Sequence, residues 1–224
     1  MSLLEEHKTE RRQKIQRAAR RLVAERGYDG LTMRDLAEAA RVSVPTLYNL
    51  FGSKDAILIA ELQNIAGELA RTLPMTGDSF MQRGMVAFEA GMRSVEESPE
   101  FFRAVTRMFM TSPDSSDMRR RSEDAFIAIM AANLVAAKQA GQLADWAEPA
   151  VVARHMFGQY MATFLSWSIG ELDLPTFRVA AESGICHILI GAARGPFAAE
   201  IEARLRFIQV WAHHQEKTHA ASRR

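Results

Sequence analysis

The chain has 224 residues, 48% of them hydrophobic and 25% charged, with a formal net charge of +1. That is the balance of an ordinary soluble globular protein, long enough to bury a core of its own in one large or two smaller domains, and the near-zero net charge by itself argues for no partner. Cys186 is the one cysteine, which excludes an intrachain disulfide framework and makes a reducing, cytoplasmic setting the simplest expectation.

The N-terminus, MSLLEEHKTERRQK, has no apolar stretch of leader type, so no secretory signal is expected. It is basic. Residues 1–54 carry eleven Lys and Arg against seven Asp and Glu, and the remainder seventeen against twenty. A basic head on a mildly acidic body suits a polyanion partner, although a solvated helix face in KTERRQKIQRAARR accounts for the count as well. In KIQRAARRLVAERG, Ile15, Ala18, Ala19, Leu22 and Val23 form one helical stripe that stops at Gly27. Thr32 then opens TMRD, a cap followed three residues on by an acid, and that helix should reach about Ala40. Ser43 caps the next, with Pro45 in its first turn, where a missing N–H costs little. Gly52 interrupts, and Ser53 caps a fourth helix running to about Leu73.

Beyond the linker PMTGDS the pattern predicts helices near 78–97, 99–111, 117–141, 148–170 and 175–193, with TSPDSSD as a loop between two of them. Pro99 and Pro175 mark helix starts. ARGPFAAEIEARLRFIQVWAHHQ predicts a tenth helix before a frayed basic tail. VVARHMFGQYMATFLSWSIG is the most apolar window, but Arg154, His155 and Gln159 make it a covered helix rather than a membrane span. Alternating β-type runs are absent, so the expected fold is all-α with about nine or ten helices.

Two seven-residue helices joined by a short turn cannot stand alone. They need the surface supplied by Ile15, Ala19 and Leu22, onto which Leu36, Ala40, Val42, Leu47 and Phe51 would pack, with small Ala37 at the crossing. That is a helix-turn-helix, at about residues 32–51, whose second helix suits a DNA major groove. Residues 11–58 resemble the DNA-binding domain of the tetracycline-repressor (TetR) family. The matching features are Ile15, Ala19, Gly27-Tyr28, Thr32, Leu36-Ala37, Ala40, Val42-Ser43, Thr46-Leu47-Tyr48, Phe51 and Ser53-Lys54, and TLYNLFGSKDAIL is similar to the family's most diagnostic stretch. Two positions depart from it. Arg41 stands where the family usually has Gly, so either it accepts the strain of positive φ, about 1 kcal/mol, or the turn differs. Pro45 stands where Gly or Ala is common and stiffens the helix start.

With Leu47 and Phe51 turned inward, Val44, Pro45, Thr46, Tyr48 and Asn49 are left toward DNA. Asn49 suits an adenine edge, and Val44 and Pro45 suit thymine methyls. Tyr48, Lys54 and the helix starts at Thr32 and Ser53 suit phosphates, with Arg34 and Arg41 as further cations. The resemblance implies that the positions of Thr32, Tyr48 and Lys54 touch the DNA backbone. Thr32 and Ser43 also read simply as caps.

The resemblance divides the chain into a three-helix DNA-binding domain, residues 1–54, and a helical ligand-binding and dimerisation domain, residues 55–224. It implies a homodimer on a palindromic operator, paired through the last two long helices. Val151, His155, Gly158, Ala162 and Leu165 fall on one stripe, and Phe177, Ala181, Gly184, Ile188 and Gly191 on another; ordinary packing within one chain is the alternative. It also implies a small-molecule pocket. The candidates are Met85, Phe88, Met92, Phe102, Met108, Phe126, Met130, Phe157, Tyr160, Met161, Phe164 and Trp167, which suit an apolar or aromatic ligand and serve equally as core. A ligand would release DNA by preferring a dimer with wrongly spaced recognition helices, with the fourth helix as the lever.

Catalysis is not expected, nor is a cofactor or metal. Cys186 and His187 are neighbours on a helix and project apart, and no nucleophile–base–acid set, phosphate loop or zinc spacing occurs. The expected function is a ligand-responsive transcriptional repressor. A dimeric interaction module that has lost DNA binding is the alternative, and sequence does not separate a repressor from an activator.

Overall fold

The computed structural model of the chain describes residues 3–72, 79–111 and 116–222. The expected linker at 74–79 and loop at 111–117 lie mainly outside those residues, as does the end of the basic tail. The described residues form ten helices: α1 (Leu3–Arg26), α2 (Met33–Ala40), α3 (Val44–Phe51), α4 (Lys54–Thr72), α5 (Phe80–Glu97), α6 (Pro99–Thr111), α7 (Ser116–Gln139), α8 (Pro149–Ser168), α9 (Leu174–Ala192) and α10 (Gly195–Ser222). Among them there is no strand, only an isolated bridge between Leu143 and Ala193. The all-α expectation stands, helix by helix. α1 begins three turns ahead of its apolar stripe, and α10 runs further than its sequence pattern indicates.

The chain divides into two compact units, residues 1–72 with 93–123 and residues 73–92 with 124–224. The boundary read from sequence, between residues 54 and 55, falls inside the first of these. The reason is α4, which packs on α1 and buries Ile57, Leu58 and Ile59 completely or nearly so. Burying each such side chain is worth about 1.5–3 kcal/mol, so α4 belongs energetically with the helices before it. α6 packs on α1 in the same unit and contributes Phe101, Val105 and Met108.

Polar residues are enclosed there too, Gln16, Glu61 and Thr106. Glu61 of α4 is 2% exposed. Its Oε1 lies 3.8 Å from the guanidinium of Arg20 on α1, and its Oε2 has no hydrogen-bond partner. Arg20 is shared, donating from Nε to the Ser98 hydroxyl at 2.7 Å, just ahead of α6. Burial pushes the Glu61 carboxyl up to about 7, against the opposing pull of Arg20.

In the second unit α8 lies along α9, and α9 along α10. Phe164, Trp167 and Phe177 are buried and mutually packed, with Trp167 stacked on Phe177 at 5.6 Å and Tyr160 set against Phe164 and Phe177 at 5.8 Å. Ion pairs cross between helices, among them Arg178 with Glu89 and Arg204 with the buried Glu182. The connectors at either end of α8–α9 are fastened to each other. Ala144 donates its N–H to Ala192 at 2.8 Å, and Arg194 donates to Gln142 at 2.9 Å. Lys138 closes the same junction by donating to the carbonyls of Asp145 and Ala147.

Candidate DNA-binding surface

α2 and α3 are too short to persist without a support. The support is the stripe of α1, where Ile15, Ala19 and Val23 are fully buried together with Leu36, Ala40 and Leu47. Each short helix starts on a side-chain cap. Thr32 Oγ1 accepts from Asp35 N at 3.1 Å, and Ser43 Oγ accepts from Thr46 N at 3.2 Å. Ser53 does the same for α4, accepting from Ala56 N at 3.1 Å. Such caps are worth about 1 kcal/mol each. The Thr32 hydroxyl also donates to Asp35, which holds that carboxyl below its ordinary range, with Arg26 adding to the effect at 3.2 Å.

The turn between α2 and α3 resolves the question raised by Arg41. Its backbone sits at φ 53, ψ 51, the left-handed region, and it is the one described non-glycine residue with positive φ. The turn is therefore the one a glycine would make. Arg41 carries the strain and in return closes α2, its N–H and that of Val42 turning back to Glu38 and Ala37. Gly52, at φ 82, ends α3 in a conformation that L side chains rarely adopt.

These constraints aim α3 outward. Pro45, Tyr48 and Asn49 are exposed, Tyr48 by 53%, and the side chains of Tyr48 and Asn49 make no hydrogen bond to a described residue. The same is true of the exposed Arg34 and Arg41. Val44 and Thr46 are half-buried, and the Thr46 hydroxyl is shared with Ser43 at 2.7 Å. Leu47 points into the core. The outward face is thus narrower than the sequence expectation and consists of Pro45, Tyr48 and Asn49.

Lys54 is placed differently from a free surface cation. It is half-buried, with its ammonium 4.2 Å from the Tyr28 ring centroid and 3.4 Å from the carbonyls of Tyr28 and Leu31. Tyr28 in turn donates to Asp55 at 2.8 Å, and burial pushes its phenol up to about 12. Lys54 and Tyr28 together fix the segment that presents Thr32. Sequence reasoning also passed over Arg12. Its Nη1 donates to the Leu50 carbonyl at 2.6 Å, and its guanidinium lies over the Phe51 ring at 4.2 Å. Its position three residues before Ile15, on the stripe, was the available signal.

The two other candidate sets separate on inspection. Of the pocket candidates, Phe102 and Met108 lie in the first unit and are buried there. Met92, Phe164 and Trp167 are buried in the second unit, which leaves Met85, Phe88, Phe126, Met130, Phe157, Tyr160 and Met161 half-buried. On α8, Val151, His155, Gly158 and Ala162 are exposed and Leu165 half-buried, an open stripe. The α9 stripe needs correction. Phe177 and Ala181 are fully buried within the chain, and a Cβ on Gly184 would collide with Gln159 of α8. That face of α9 meets its neighbour α8, leaving half-buried Ile188 and exposed Gly191 as the more accessible members.

Residues 15–60 match the family described as bacterial regulatory proteins, tetR family. The HTH-type transcriptional repressor AcnR of Corynebacterium efficiens is 37% identical over 75 residues, 34% of this chain and 40% of that protein. The HTH-type transcriptional repressor KstR of Rhodococcus jostii is 32% identical over 108 residues, 48% of this chain and 51% of that protein. The chain thus spans about half or less of the curated relatives it matches. Two solved structures share the fold over most of their length. Thermus thermophilus FadR, a TetR-family repressor in complex with lauroyl-CoA, has a TM-score of 0.64 at 20% identity, over 83% of this chain and 97% of that one. A TetR-family regulator from Pectobacterium atrosepticum has a TM-score of 0.62 at 19% identity, over 88% and 100%. Residues 15–60 thus match the tetR family of bacterial regulatory proteins, and the chain shares its fold with solved structures of TetR-family regulators.

Proposed function

We propose that the protein is a transcriptional repressor that binds a palindromic operator as a homodimer and leaves it when a small apolar or aromatic molecule binds. The observation that carries this reading is the outward face of α3, where Tyr48 and Asn49 stand exposed and unbonded beside the glycine-type turn at Arg41. Polar side chains without partners on a helix braced from behind are what base edges and phosphates require. Asn49 reads an adenine, Pro45 meets a thymine methyl, and Val44 and Thr46 contribute at the groove edge. Tyr48, Arg34, Arg41 and the starts of α2 and α4 hold phosphates, with Lys54 setting the position of α2. Residues 1–54 form the part that meets DNA.

The second copy joins through the open α8 stripe, where Gly158 and Ala162 allow close approach, together with the accessible part of α9. The ligand is held in the second unit among the half-buried Met85, Phe88, Phe126, Met130, Phe157, Tyr160 and Met161. The bound lauroyl-CoA of the FadR structure supports an acyl chain as one apolar probe. Residues 55–224 carry these two tasks, and a reducing cytoplasm is the setting.

Selection from a random DNA pool at moderate salt, followed by a salt titration of the enriched duplex, tests the reading. A palindrome with half-sites about one helical turn or a multiple apart, bound with steep salt dependence, is expected. Lauroyl-CoA and a panel of aromatic compounds are then added, and at least one should lower affinity. A folded protein that enriches no sequence, with or without these compounds, overturns the reading.

A further inference from the structure

α1 begins at Leu3, yet among its described side chains, from Glu5 on, the first fully buried one is Ile15. Residues 5–11 are all exposed. From Glu5 to Arg11 this overhang is polar, so that stretch gains nothing from a core, and in isolation it frays. Its composition is not uniform around the axis. The stripe that is apolar further along, Ile15, Ala19, Leu22 and Val23, continues toward the N-terminus at the same three- and four-residue spacing as Arg12, Arg11 and Lys8. Glu6, Glu10 and Gln13 lie on the other side. The core-facing stripe therefore turns cationic where α1 passes the edge of its domain.

Arg12 shows where that edge is. Its bond to the Leu50 carbonyl sets α1 against the last turn of α3. From Arg12 to Leu3 the helix extends about 13 Å, roughly the width of a major groove. Lys8 and Arg11 follow Arg12 on the same face and make no hydrogen bond or ion pair with a described residue. Glu10, by contrast, has His7 at 3.8 Å.

We infer that the overhang of α1 is a second nucleic-acid contact, a helical arm on which Lys8 and Arg11 hold DNA phosphates beyond the end of α3. Arg12 is the positioning residue that pins the arm to α3. The arm adds affinity without reading sequence, since phosphate contacts carry no base information. It rests on the DNA-binding reading above and adds a contact outside the helix-turn-helix.

The test compares wild type with the double variant Lys8→Ala/Arg11→Ala on two probes, the duplex enriched by wild type from a random pool and a random-sequence duplex of equal length at low salt. Each lost phosphate contact should reduce the slope of log affinity against log salt by about 0.9, and affinity should fall about tenfold or more on both probes. Phosphate-ethylation interference should lose a discrete set of positions. Lys8→Arg/Arg11→Lys should restore slope and pattern. Melting temperature should not move, because both side chains are exposed. Arg206→Ala, on α10, controls for net charge and should leave the slope alone. An unchanged slope in the double variant, or an equal loss in Arg206→Ala, overturns the arm and leaves the helix-turn-helix reading intact. Failure of wild type to bind either duplex overturns both.

Discussion

Glu61 on α4 and Arg20 on α1 stand 3.8 Å apart, near enough to attract and too far to share a hydrogen bond. The carboxylate is left half-satisfied in a buried place, which raises its pKa from 4.5 to about 7. Below pH 4.5 both the folded and unfolded chains hold the proton, and folding carries no penalty. Between 4.5 and 7 the unfolded chain releases it first, so stability falls as pH rises and levels off above 7. Glu61→Gln removes this titration. The variant should match or exceed wild type by on the order of 1 kcal/mol at pH 8 and lose the slope between pH 5 and 7. Thermal unfolding across that range decides it, and a flat wild-type curve would refute the assignment.

Arg41 offers a test of backbone strain. Arg41→Gly should stabilise the domain by about 0.5–1 kcal/mol, since glycine adopts φ 53 without penalty. Arg41→Val should destabilise by more than 1 kcal/mol, a β-branched residue fitting that region worst. Urea denaturation of the two variants should therefore move in opposite directions. Operator affinity should fall in both, because both lose the cation.

The Tyr28–Asp55 bond, at 2.8 Å, predicts behaviour at the alkaline end. The phenol titrates near 10 unfolded and about 12 folded, so its contribution is complete below pH 10 and disappears as pH rises through 12. Tyr28→Phe should cost about 1 kcal/mol at neutral pH, the net worth of one such bond, and show a shallower loss between pH 10 and 12. Chemical denaturation at pH 8 and pH 11 measures both.

Ala162 lies in the open stripe of α8, and Phe177 behind it in the seam with α9. In the proposed homodimer, a charged side chain at the first should separate subunits without unfolding them. Ala162→Arg is expected to sediment as a monomer with a near-normal melting temperature. Phe177→Ala should instead cost about 3–5 kcal/mol by opening a cavity against Trp167 and Phe164. If both variants melted alike and remained dimeric, the division of the two stripes would be wrong.

Much of this was legible from the chain. α2 and α3 announce themselves through Thr32 and Ser43, because a cap is local chemistry that needs no tertiary knowledge, and the structure has both bonds. The partition of α9 was not legible. Its apolar residues cover two faces, and periodicity cannot say which face meets α8 and which remains open. Lys54 illustrates a different limit. Its position says that a cation leaves α4 near the helix-turn-helix, but a four-carbon stem can fold back, and here it reaches the Tyr28 ring. The charge of the α1 overhang was visible in the chain, but a polar stretch from Glu5 to Arg11 has no apolar period to mark where the helix begins.

The junction where Ala144 bonds Ala192 and Arg194 bonds Gln142 has an evolutionary consequence. It zips the connector before α8 to the connector after α9, so the two helices hang from one knot rather than from independent threads. Inserting or deleting a residue in either connector would pull the other out of register. Changes of length in this half of the protein should therefore be tolerated at the α8–α9 turn and come as matched pairs at the knot.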